Sequence, residues 1–193
     1  MTYTKEQLNH FFRILNLDQR SHLAETPDTS PELLDVLSHD ENPSVRCCVA
    51  ENLNTKPEIL DILSRDENSY VRCRVAKNLN TKPEILDVLS RDEDFYVRRY
   101  VARNLNTNSE TLDVLSHDKD CSVRYGVAQN HNTKPETLDA LSKDENSDVR
   151  EKVKQNPNYK KKITVEFSPT QHEALKKLIE SSQDPELRNV TLE

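Results

Sequence analysis

The sequence predicts an all-α fold: an α-solenoid of five 26-residue, two-helix repeats with a small β/α C-terminal tail. Three observations lead there. The segment Asn54-Thr55-Lys56-Pro57-Glu58 returns as Asn80-Thr81-Lys82-Pro83-Glu84 and Asn132-Thr133-Lys134-Pro135-Glu136. Looser copies stand at Asn106–Glu110 and Asp28–Glu32, always at a step of 26. The register never slips across residues 28–157, so this stretch is five units without insertion. Glycine occurs once in 193 residues, against about 7% in an average protein. That removes the turn glycines on which hairpin-rich sandwiches and barrels depend. Apolar residues then fall at helical spacing in both halves of each unit.

Residues 1–27 read as an N-terminal capping helix and half repeat. Leu8, Phe11, Phe12 and Leu15 form an i, i+3, i+4, i+7 stripe, and Leu23-Ala24-Glu25 aligns with Val49-Ala50-Glu51. The first helix of each unit starts at Thr-x-x-Glu: Thr29/Glu32, Thr55/Glu58, Thr81/Glu84, Thr107/Glu110 and Thr133/Glu136. This reads as a capping box, in which hydroxyl and carboxylate satisfy orphan amides. Proline in the first turn loses no hydrogen bond there. Ile59, Leu60, Ile62 and Leu63 give the buried face. The second helix starts at Asn42, Asn68, Asp94, Asp120 and Asn146, all good N-cap types. It continues as Val71-Arg72-x-x-Val75-Ala76, with Val and Ala inside. Asn52, Asn78, Asn104 and Asn130 read as its stop. Such short helices are marginal alone and share a core only when stacked. The Ala column ends at Lys154, as expected of a terminal repeat.

The pattern Asn-Thr-x-Pro-Glu-x-Leu-x-x-Leu-Ser-x-Asp-x-x-x-x-Val-Arg-x-x-Val-Ala-x-Asn resembles the leucine-rich repeat variant family of bacteria, over residues 28–157. The resemblance implies a right-handed solenoid akin to HEAT and armadillo arrays, an α-helix alternating with a shorter 3₁₀-like one. The unit is longer than the family's usual one, so α or 3₁₀ for the first helix stays open. The family's founding type carries an iron–sulfur module, but no Cys precedes Cys47 here, so no cofactor is carried over. The resemblance implies no catalytic activity.

The residues agree with that expectation. No glycine-rich phosphate loop can be built from one glycine. The cysteines Cys47, Cys48, Cys73 and Cys121 have no CxxC spacing, so neither a disulfide framework nor a zinc site is expected. His39 and His117 lie two units apart, roughly 20 Å at helix-packing distances, too far to share a metal. They belong to the column His39, Arg65, Arg91, His117, Lys143, where cations complement the end of the first helix. No Ser/His/Asp or Cys/His set can be assembled, and no enzyme is expected. No apolar run approaches a membrane span and the N-terminus carries no signal-peptide segment. With no disulfide framework a reducing cytosol is the expected compartment, and the resemblance implies a bacterial one.

The formal net charge of −7 lies wholly in residues 28–157, with 18 basic against 25 acidic groups. Two charged columns run in register: Arg46, Arg72, Arg98, Arg124, Arg150 and Asp40, Asp66, Asp92, Asp118, Asp144. They read as an Asp–Arg ladder within or between units rather than as a phosphate-binding rail. The variable positions carry the functional signal. On the second helix, positions equivalent to 70, 73, 74 and 77 lie opposite Val71 and Val75. In the first unit these are Ser44, Cys47, Cys48 and Glu51, and in the last Asp148, Glu151, Lys152 and Gln155. The middle units are basic and aromatic: Tyr70, Cys73, Arg74, Lys77; Tyr96, Arg99, Tyr100, Arg103; then Ser122, Tyr125, Gly126, Gln129. Tyr and Arg are enriched at binding hot spots. The candidate partner-binding residues are therefore Tyr70, Arg74, Lys77, Tyr96, Arg99, Tyr100, Arg103 and Tyr125. A protein partner is the first expectation. RNA or DNA on the same basic-aromatic face is the alternative.

Residues 158–193 break the repeat. Ile163-Thr164-Val165-Glu166-Phe167 alternates like a strand, Ser168-Pro169 opens a helix carrying Ala174, Leu175, Leu178 and Ile179, and residues 189–193 could pair as a second strand. The strand and helix resemble the first half of a ribbon–helix–helix DNA-binding domain, without its second helix. The tail reads as a small β-α-β cap or as a strand-paired arm that would give a homodimer.

Overall fold

The computed structural model describes residues 11, 12, 14–159 and 168–181. Twelve α-helices are found among the described residues: α1 (Leu17–Glu25), α2 (Pro31–Leu37), α3 (Pro43–Glu51), α4 (Pro57–Leu63), α5 (Ser69–Lys77), α6 (Pro83–Leu89), α7 (Phe95–Arg103), α8 (Ser109–Leu115), α9 (Cys121–Gln129), α10 (Pro135–Leu141), α11 (Ser147–Gln155) and α12 (Pro169–Ser181). The chain divides into two compact units, Met1–Lys160 and Lys161–Glu193. In the first, helices of seven and nine residues alternate, an all-α solenoid whose first helices are α and not 3₁₀. In the second, α12 starts where Ser168-Pro169 points, with Gln171 N–H on Ser168 Oγ. It buries no residue. The expected strands at 163–167 and 189–193 lie outside the described residues, as does Leu8.

Each unit contributes two leucines from its first helix and two valines from its second, with an alanine in all but the last, where Lys154 is exposed. Leu60, Leu63, Val71, Val75 and Ala76 and their equivalents are buried. A fully buried Leu or Val contributes about 1.5–3 kcal/mol. Ile62 departs from the expected buried face: it and its equivalents Val88 and Val114 point outward. Second helices stack directly on one another, whereas first helices of neighbouring units make few contacts. The second helices therefore form one continuous packed layer.

Proline begins four of the five first helices and Ser109 the other, always two residues past the threonine, and this corrects the capping-box reading. The N-caps are Ser30, Lys56, Lys82, Asn108 and Lys134, one residue beyond the threonines. The Thr hydroxyls point backward instead. Thr55, Thr81, Thr107 and Thr133 each donate, at 2.6 Å, to a valine carbonyl of the preceding second helix. Asn42, Asn68, Asp94, Asp120 and Asn146 do cap the second helices, accepting the N–H two residues on.

Two side-chain ladders join the units. Arg46 Nε meets Asp66 Oδ2 at 2.6 Å in the next unit, while its Nη1 donates to the carbonyls of Asp40 and Glu41. The same pairing recurs at Arg72–Asp92, Arg98–Asp118 and Arg124–Asp144. With its guanidinium so occupied, this column is no phosphate rail. Arg20, 26 positions before Arg46, extends the ladder to Asp40, which makes α1 the second helix of a half repeat. Asn16 starts α1 with its own capping box, so α1 begins beyond the stretch that carries Phe11, Phe12 and Leu15. The asparagines do more than stop helices. Asn104 Nδ2 donates to Ala76 O and Asn78 O of the preceding unit at 2.8 and 3.0 Å, and Asn52, Asn78, Asn130 and Asn156 repeat this.

Candidate partner-binding face

The layer of second helices carries the eight candidate residues on α5, α7 and α9. Tyr70 and Tyr96 stand at the N-terminal ends of α5 and α7, 71% and 49% exposed. Tyr96 lies against Phe95, ring centroids 4.0 Å apart. Arg74 and Lys77 both pair with Glu51 on α3. Tyr100 and Tyr125 are half-buried and pack against the core. Cys73 and Gly126, at positions expected to face outward, are buried: the two middle positions of the pattern lie between neighbouring helices.

Arg99 and Arg103 differ from the rest. They are one turn apart on α7, half-buried, and the Nε of each is buried without a hydrogen bond. Burial, and then the charge of Arg99, pull Arg103 below the ordinary arginine pKa. Its guanidinium carbon sits 5.9 Å from the ring centre of Tyr125, and Lys152 Nζ approaches the same ring to 5.3 Å. Tyr125 thus receives cations from both neighbouring helices, contacts of about 0.5–1 kcal/mol each at exposed sites.

Gly126 lets α9 approach α7 at this point. A Cβ there would meet Ala102 Cβ at 2.9 Å. Gly126→Ala should therefore destabilise by about 1 kcal/mol, overpacking outweighing the gain in helix propensity. A raised melting temperature would show that the helices separate at no cost.

A ridge of leucines borders the face and was not singled out from the sequence. Leu53, Leu79 and Leu105 are 65%, 57% and 60% exposed. Their column is the Leu of the recurring Asn-Leu-Asn, which the sequence pattern marks only as a helix stop. Leu53 and Leu79 share a shallow groove with Glu51, Arg74 and Lys77.

Other chemistry is sparse. Burial, reinforced by Glu25, pushes the Cys48 thiol up to about 12, and burial beside Asp94 and Asp92 does the same for Cys73, so neither is a ready nucleophile. His39 and His117 contact the carbonyls of Asp35 and Asp113 at the ends of α2 and α8. Arg65 and Arg91 pair with Asp61 and Asp87 at the ends of α4 and α6. Among the described residues no group of His, Cys, Asp and Glu could hold a metal ion, and no helix is long and apolar enough to cross a membrane.

No protein-family model matches the sequence, and no curated protein does. Solved structures do resemble the chain. A leucine-rich repeat variant with a novel repetitive structural motif is 27% identical, with a TM-score of 0.62, covering 96% of this chain and 69% of that one. An engineered protein is 17% identical, with a TM-score of 0.49 over 80% of this chain and 95% of its own. A HEAT-like repeats protein of the archaeon Thermococcus onnurineus is 13% identical, with a TM-score of 0.43 over 97% and 94%. The repeat pattern read from the residues and the first of these likenesses agree: the chain is an α-solenoid similar to that leucine-rich repeat variant.

Proposed function

We propose that the chain is a non-enzymatic scaffold that binds a protein partner through the Tyr/Arg face of its second helices. The observation that carries this reading is the pair Arg99 and Arg103, buried at Nε and without hydrogen bonds there. An orphaned buried donor costs about 1–3 kcal/mol, and like charges at i, i+4 oppose the helix. A partner supplying acceptors would offset both. Stacked units present such residues as one continuous surface, and Tyr70 and Tyr96 add exposed aromatic area to it. Nucleic acid fits less well. Glu41, Glu67, Glu93 and Glu145 stand exposed along the ladder edge, and unpaired cations are too few for extensive phosphate contact.

Capture from native lysate by the immobilised chain tests the proposal. Nuclease-resistant capture is expected, lost in Tyr96→Ala/Arg99→Ala while the melting temperature barely moves, because Tyr96 is 49% exposed and the buried Arg99 Nε has no hydrogen bond to lose. Val97→Asp, at a site with no exposure, should instead unfold the array. A double variant that melts like Val97→Asp would make these side chains structural. Nuclease-sensitive capture would favour nucleic acid.

A further inference from the structure

We infer that the face takes an extended acidic segment of a protein, its carboxylates on Arg99 and Arg103 and its apolar side chains on the ridge of Leu79 and Leu105. This rests on the proposed reading of the face and specifies the chemistry of what binds there.

Charge complementarity is the first argument. Among the described arginines, Arg20, Arg46, Arg65, Arg72, Arg74, Arg91, Arg98 and Arg124 each hold a carboxylate of this chain. Arg150, the last ladder position, donates to the carbonyls of Asp144 and Glu145. Arg99 and Arg103 have neither kind of partner, although acidic residues outnumber basic ones 34 to 27. An excess of acid that leaves these two unmatched marks the place where an external carboxylate is accommodated. A guanidinium takes a carboxylate through paired, directed N–H donors.

The ridge supplies the second argument. Leu105 follows Arg103 by two residues, and Leu79 stands at the equivalent position one unit earlier, beside Arg74 and Lys77. One exposed leucine per unit gives an apolar spacing of about 10 Å, the packing distance of helices. A polyproline-type strand advances about 9.3 Å per three-residue turn. An apolar residue at every third position would therefore stay in step with the units, while the intervening residues carry the acids. An α-helical segment would meet the units only with every seventh residue, about 10.5 Å apart, and a proline at every third position excludes that form from the probe.

A fluorescein-labelled peptide of repeated Pro-Leu-Glu triplets provides the probe, read by anisotropy. Saturable binding is expected. It should weaken about tenfold or more when Gln replaces Glu in the peptide, when Ser replaces Leu in it, or in Arg99→Gln/Arg103→Gln. Leu79→Ser/Leu105→Ser, at exposed positions, gives the same loss without touching the half-buried arginines. Arg65→Gln/Arg91→Gln, which removes exposed cations of the first helices, should leave binding unchanged. Equal binding of the Gln peptide, an equal loss in the Arg65/Arg91 variant, or displacement by single-stranded oligouridylate at matched charge would overturn the inference. If the peptide does not bind while nuclease-resistant capture still depends on Tyr96 and Arg99, the acidic segment is wrong and the face stands. If capture is also indifferent to those residues, both fall.

Discussion

Asn104→Asp should unfold the array at neutral pH. Asn104 is 4% exposed and sits between the second and third units. Its amide nitrogen donates to Ala76 O and Asn78 O, while its oxygen accepts from Asn106 N–H. A carboxylate keeps the last contact and sets an oxygen against two carbonyl oxygens. Two buried hydrogen bonds are lost, at about 1–3 kcal/mol each, and a charge is buried without a counter-ion. The sum reaches the whole stability of an ordinary domain, about 5–15 kcal/mol. Position adds to it, because contacts in a solenoid run only between neighbours and a failed central interface separates the array into short pieces. The sign with pH follows. Burial raises the pKa of the new carboxyl, so the penalty is greatest above that value and lessens as pH falls, when the protonated group can donate again. Asn106→Ala, at the exposed neighbouring rung, should cost only about 1 kcal/mol. Circular dichroism during thermal and urea unfolding reads both. A folded, cooperatively melting Asn104→Asp at pH 7 would mean that the asparagine ladder is dispensable.

The array was legible from the sequence because its register is periodic: five copies without insertion leave the chain one way to stack its Leu, Val and Ala columns. The direction of side-chain bonds was not. Thr55 and Glu58 satisfy the capping-box pattern, but Pro57 begins the helix at the next position and the Thr55 hydroxyl closes on Val49 O instead. A spacing rule counts residues and cannot tell whether a hydroxyl turns toward the helix ahead or the helix behind. The ladder was readable as Asp with Arg. Its span of 20 residues into the next unit depends on how units stack, which one unit's sequence does not contain. On the face, Tyr70, Tyr96, Arg99 and Arg103 stood out because they occupy variable positions between the fixed columns. Helical projection put Cys73 and Gly126 outside, but helices packed on both sides of α5 and α9 cover those positions. Conversely, the leucine ridge was passed over because an apolar residue beside a buried asparagine looks like core until the loop's direction is known.

Arg46→Ala should cost about 3–5 kcal/mol at neutral pH, as removal of one partner from a buried pair does. Arg46 and Asp66 are 11% and 7% exposed at their side chains and joined by two bonds of 2.6 and 2.9 Å. Burial pushes the Asp66 carboxyl up. The Arg46 guanidinium, the Asn68 N–H and the field of Arg72 outweigh it and hold the carboxyl below the usual aspartate value. A carboxyl depressed on folding stabilises above its unfolded pKa, about 3.9, and that contribution disappears as pH falls through the folded value. Asp144 behaves alike under Arg124 and Asn146, so the native array should weaken below about pH 4. In Arg46→Ala the balance reverses. Burial then dominates at Asp66, whose charge is the source of the penalty, so the deficit relative to the native chain is largest near pH 7 and narrows toward pH 4. Asp66→Asn added to Arg46→Ala should restore part of the loss at pH 7 and little at pH 4. Urea unfolding between pH 4 and pH 8 gives the comparison. A deficit independent of pH would place the cost in the lost bonds from Arg46 to the carbonyls of Asp40 and Glu41, not in an uncompensated carboxylate.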